Sequence, residues 1–157
     1  MNRKANVIYL KHSIIISRDY KTVFDYISDY INDKNWRKPI HQTTMNTAKP
    51  EQGTIITEDC FLSRKVPHFI TTFKCVEFIP NKTISSESTP ENQFWSSNTR
   101  EVEAIDNFTT KVTYTFQLDM SIVKHAFGFS LPVFLVNMST KAEIRAYLKK
   151  LKQVLEK

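Results

Sequence analysis

The chain has 157 residues, a formal net charge of +6, 12% aromatic residues, two cysteines and two glycines. That length suits a single domain able to bury most of the apolar surface its unfolded form exposes, and Gly53 and Gly128 alone cannot make a glycine-rich phosphate loop. Cys60 and Cys75 form no Cys-x-x-Cys pair, which excludes zinc-finger and thioredoxin-type readings and leaves reduced, buried thiols as the expectation.

In chain order, residues 7–16 read as a strand with Ile8, Leu10, Ile14 and Ile16 on one face and His12 among them. Ser17 is the expected N-cap of a helix over 18–28, with Asp19 near its positive end. Tyr20, Val23, Phe24 and Ile27 then recur at helical spacing. Residues 31–36 read as a second short helix, or a continuation of the first, ending before Pro39. Strands follow at 40–46, 54–62, 69–78, 83–88, 94–103 and 111–120. Turns fall at Pro50-Glu51-Gln52-Gly53, Pro80-Asn81 and Asp106-Asn107. The last strand places Val112, Tyr114, Phe116, Leu118 and Met120 on one side and polar residues on the other, the pattern of an antiparallel sheet with one covered face. Residues 125–132 read as an apolar loop, and 133–155 as a long helix. Its stripe is Phe134, Met138, Ile144, Tyr147, Leu148, Leu151 and Leu155. Strands in the middle and helices at the ends indicate an α+β protein. The dry sheet face and the dry helix stripe fit a curved sheet wrapped around the terminal helix.

Basicity is confined to the two ends. Residues 141–157 carry six bases against two acids, residues 1–12 carry three bases and no acid, and the middle is −1. The terminal helix lacks interleaved exposed aromatics, so its bases read as a solvated face and no nucleic-acid partner is expected. The first ten residues lack the apolar core and cleavage site of a signal peptide. The longest apolar run, 127–138, is interrupted by Ser130, Pro132 and Asn137. A cytoplasmic location is therefore the expectation.

The opening Ser13-Ile14-Ile15-Ile16, the segment Val23-Phe24-Asp25-Tyr26-Ile27-Ser28-Asp29 and Asn35-Trp36 resemble the START-like (SRPBCC) superfamily, near its polyketide cyclase/dehydratase-like members. Gly53-Thr54, the run from Phe73 to Pro80, Lys111-Val112-Thr113-Tyr114 and Leu148-Lys149-Lys150-Leu151 extend the resemblance over nearly the whole chain. It implies one domain over 1–157 with a helix-grip fold: a seven-stranded antiparallel sheet around a long C-terminal helix, and two short helices after the first strand. It also implies an apolar cavity for a lipid, sterol or polyketide-like ligand. Thr109-Thr110 stands where the family often has Gly-Thr, and the Gly-rich loop of the plant allergen-like branch is missing, which argues against that branch.

Ligand-lining candidates are Ile56, Glu58, Phe73, Phe94, Arg100, Tyr114 and Phe116 on the strands, with Phe134 and Met138 on the helix. On 94–103, alternation groups Arg100 with Phe94, Ser96, Asn98 and Val102. If that face is dry, Arg100 needs a partner, either Glu58 or an anionic ligand group; a bulge turning it outward is the alternative. No catalytic residue is assigned. The four histidines show no metal-site spacing, and neither a metal nor a cofactor is expected. Three functions fit: binding a small hydrophobic molecule, cyclase or dehydratase chemistry using inward-facing His12, His68, Glu58 or Arg100, and a protein-interaction module related to heat-shock ATPase activators. Phe127 and Phe129, beside a cavity mouth, suit transient membrane contact or cap the core.

Overall fold

The computed structural model describes residues 6–157; Arg3 and Lys4 of the basic N-terminus lie outside them. Period-2 alternation builds seven strands: β1 (Val7–Ile16), β2 (Ile40–Met45), β3 (Ile55–Cys60), β4 (Phe69–Ile79), β5 (Thr83–Ser88), β6 (Ser96–Asp106) and β7 (Thr109–Asp119). All neighbours pair antiparallel in the order β1-β7-β6-β5-β4-β3-β2, so the first two strands form the opposite edges. The crossing between those edges is made by α1 (Tyr20–Ser28) and a 3-10 helix (Tyr30–Asn35). This is the α+β helix-grip arrangement implied by the resemblance, closed by α3 (Val133–Leu155).

Bulges near Ile40, Cys75 and Ala104 bend the sheet. Its concave face buries Ile16, Ile56, Ile84, Val112 and Tyr114 against Val23, Phe24 and Ile27 of α1 and Leu148 and Leu151 of α3. A second, smaller cluster joins Ile8, Val136, and Ile122 and Val123 of α2 (Ser121–Phe127). That short helix spans both the stretch between the expected strand and loop and the first three residues of the expected loop. Gly128 ends it in the left-handed region, at φ 81°, a conformation that favours glycine.

Two local expectations are corrected. Asp19, not Ser17, caps α1: its Oδ1 accepts from the Thr22 N–H at 2.9 Å. Ser17 instead donates its backbone N–H to Glu156 Oε1, while Arg18 donates to the Leu155 and Lys157 carbonyls, tying the end of α3 to the β1–α1 turn. Phe134 and Met138 are 64% and 65% exposed. At about 100° per residue they lie roughly 120–160° round the helix from Val136 and Thr140, which face inward in that half of α3. Cys60 and Cys75 are free thiols, with burial pushing the first up to about 12 and the second to about 11. Among the described residues no helix is long and apolar enough to cross a membrane.

The core assignment has a direct test in urea unfolding. Leu151, fully buried, is expected to cost about 2–5 kcal/mol as Leu151→Ala. Phe134→Ala is expected to stay within about 0.5 kcal/mol.

Candidate functional site

The site begins with a helical period of three. In a 3-10 helix, residues three apart eclipse, so Tyr30 and Asp33 face inward together, followed by Trp36 at the cap; all three are buried. Alternation on β6 sends Ser96, Asn98, Arg100 and Val102 to the same interior. Arg100, 1% exposed, therefore meets Asp33 in a two-pronged ion pair, Nη1–Oδ1 at 2.8 Å and Nη2–Oδ2 at 2.6 Å. Nη1 also donates to the Ile27 carbonyl at 2.7 Å. Its guanidinium carbon lies 4.2 Å from the Tyr30 ring centroid and 5.1 Å from that of Trp36.

Asp33 is shared. Arg37 Nη1 donates to Asp33 Oδ2 at 2.9 Å and to Glu58 Oε2 at 2.7 Å. The result is a buried chain, Arg100–Asp33–Arg37–Glu58, with two charges of each sign. Burial works against the charge on both arginines, but the facing carboxylates outweigh it and hold both guanidinium groups above their ordinary range. Arg100 thus faces inward as alternation suggests. Its partner is Asp33 rather than Glu58, and Glu58 pairs with Arg37.

A cavity of about 160 Å³ opens beside this chain, between the two hydrophobic clusters. Phe61, Leu62, Phe69, Phe73, Phe116 and Leu118 give it apolar walls; Arg37, Glu58, Asn98, Glu143 and Tyr147 give it a polar side. A larger outer cleft of about 470 Å³, between the 3-10 helix and α3, shares Pro39, Glu143 and Tyr147 with it. Glu143 keeps part of its side chain in solvent, yet partial burial raises its carboxyl above the usual range. Burial also pushes the neighbouring Tyr147 hydroxyl up. The Asn98 Oδ1 and Arg37 Nε atoms are buried without a protein partner.

Of the residues singled out from the sequence, Glu58, Phe73 and Phe116 line the cavity. Ile56, Arg100 and Tyr114 face inward but lie in the packed core beside it. Phe94 packs in the second cluster, 6.2 Å from Phe69 and 5.3 Å from His125 between ring centroids. Phe134 and Met138 do not reach the cavity, for the helical-phase reason given above. His12 is half-buried; burial first, then the charges of Arg145 and Lys141, lowers its pKa. His68 is exposed at the far end of the sheet, where it meets His41 and Asp59. The histidines are thus not all scattered. Sequence patterning does not single out Asp33, Arg37 or Glu143, whereas Tyr147 lies on the expected stripe of α3. For Asp33 the available signal was the three-residue spacing of Tyr30, Asp33 and Trp36.

No family model matches the chain, and no curated protein sequence matches it. Solved structures do. A START superfamily protein from Mycobacterium smegmatis superposes with a TM-score of 0.75 at 10% identity, over 94% of this chain and 97% of that one. The Zhui aromatase/cyclase from Streptomyces sp. R1128 gives 0.74 at 11% identity, over 96% and 94%. The di-domain aromatase/cyclase BexL gives 0.69 at 15%, with this chain covering half of it. The fold is START-like.

Asp33 serves two arginines; its loss strands Arg100 and leaves Arg37 with Glu58 as its one carboxylate. Asp33→Ala is expected to destabilise by about 3–5 kcal/mol in urea unfolding. Arg100→Met leaves Asp33 still paired with Arg37 and is expected to destabilise less.

Proposed function

We propose that this START-like domain binds a small, largely apolar molecule carrying an oxygen function, with its apolar part inside the cavity. One observation carries this reading: the aromatic walls of the cavity face a polar side made by Arg37, Glu58, Asn98, Glu143 and Tyr147. A few polar groups on one side of an otherwise apolar pocket fix the orientation of a ligand oxygen. A cavity of about 150 Å³ accommodates one benzene-sized ring. The inner space therefore suits one ring, and the outer cleft takes the remainder through the gap at Pro39, Glu143 and Tyr147. The inner space of about 160 Å³ takes one flat ring but is small for a sterol nucleus or a long acyl chain, which favours aromatic, polyketide-like molecules. The exposed Phe127, Phe129, Phe134 and Met138 at the α2–α3 junction support transient membrane contact during ligand exchange.

A second reading, cyclase or dehydratase chemistry, is favoured by Glu143. Its raised carboxyl lies where inner and outer spaces meet, so it is suited to hold a proton and deliver it to a bound oxygen. The aromatase/cyclase descriptions of two structural neighbours are consistent with this.

Thermal shift and native mass spectrometry with fatty acids, sterols and aromatic phenols or β-ketones test the binding reading. Aromatic ligands are expected to raise Tm, and Thr140→Phe, which fills the cavity from α3, is expected to remove that shift while the apo protein stays folded. Equal ligand shifts in wild type and Thr140→Phe contradict it. Catalysis would show as turnover of a β-ketone substrate that falls as pH rises through the Glu143 pKa, and is lost in Glu143→Gln with binding retained.

A further inference from the structure

His41, Asp59 and His68 come from three consecutive stretches of chain that sequence spacing does not connect. His41 sits at the irregularity between Ile40 and Gln42 in β2, Asp59 near the end of β3, and His68 immediately before β4. Their potential ligand atoms all lie within 4.8 Å of one another. The two imidazole rings are 4.5 Å apart between centroids and tilted by 34°. His68 Nδ1 lies 3.0 and 3.2 Å from the two Asp59 carboxylate oxygens. His41 Nε2 bonds the Pro67 carbonyl at 2.8 Å.

We propose that these three side chains form a surface site for a divalent transition metal, with Zn²⁺ as the fitting ion. Two imidazoles and one carboxylate match the donor preference of zinc, and three protein ligands leave a fourth position for water. The carbonyl of Pro67 supplies an outer partner. When His41 donates Nε2–H to it, the neutral ring keeps its lone pair on Nδ1. A metal at His68 Nδ1 takes the place of that ring's hydrogen bond to Asp59, and the neutral ring then carries its proton on Nε2.

The site has a structural consequence. Residues 61–68 connect β3 to β4, and Phe61 and Leu62 of that connection border the cavity. Its other end is held by Ser63, whose hydroxyl donates to the Ala126 carbonyl of α2. A metal on His41, Asp59 and His68 pins the connection to β2 at the opposite side. The ion would thus stiffen one wall of the cavity without entering it.

Isothermal titration of the chelator-treated full chain with ZnCl₂ tests the proposal. One-to-one saturable binding is expected. At roughly a hundredfold excess of free zinc over Kd, Tm is expected to rise by about 5–10 °C. Asp59→Asn is expected to weaken binding by roughly tenfold or more, and the double variant His41→Ala/His68→Ala to abolish it, whereas His125→Ala leaves it unchanged. Both rings are exposed, so the variants keep the core intact. Co²⁺ in place of zinc is expected to give visible absorption in wild type and His125→Ala only. Absence of saturable binding in wild type, binding that survives in the double variant, or a loss in His125→Ala equal to that in the double variant overturns the proposal.

Discussion

The Arg100–Asp33 pair is the contact on which the closed end of the molecule depends. A 3-10 helix of six residues has few backbone bonds of its own and little intrinsic stability. What seats it is a guanidinium rising from the middle of the sheet, gripping Asp33 with two donors, the Ile27 carbonyl with one, and stacking on Tyr30 and Trp36. A lysine in its place offers a point charge without the planar fork, and so cannot make the same set of contacts. Taking these charges out of water is expensive, and the pair is tolerated because both Asp33 oxygens and both terminal nitrogens of Arg100 are hydrogen-bonded and a second ion pair joins them. The Nε atoms of Arg37 and Arg100 are left without a protein partner.

The same chain of charges shapes the cavity. Asp33 passes its second oxygen to Arg37, and Arg37 reaches Glu58 on β3, so the polar side of the cavity is anchored at two points of the sheet. The aromatic walls then come from strands that alternation alone would make dry. The cavity is what remains where the two hydrophobic clusters fail to meet. Its polar and apolar sides are therefore products of the fold's closure.

The succession of strands along the chain, the long terminal helix and the inward face of β6 are legible because period-2 and period-3.6 patterns are strong and local. Arg100 was readable on that basis, flanked by Asn98 and Val102 on one face. Its partner was not, because Asp33 belongs to a three-residue period that helical spacing obscures. Phe134 and Met138 mislead for the converse reason: apolar character at helical spacing suggests an inward position, while Val136 and Thr140 set the inward face of that half of α3 and turn the opposite flank to solvent. The α2 helix escaped because seven residues carry too little periodicity. The approach of His41 to His68 required knowing that β2, β3 and β4 are neighbours.

Amide hydrogen exchange on wild type and Arg100→Met tests most directly whether this pair holds the closing segment to the sheet. Selective acceleration over Tyr30–Asn35, with β3, β4 and β5 amides unchanged, is the expected result. Unchanged exchange in that segment, or a uniform rise across the whole sheet, would contradict the account.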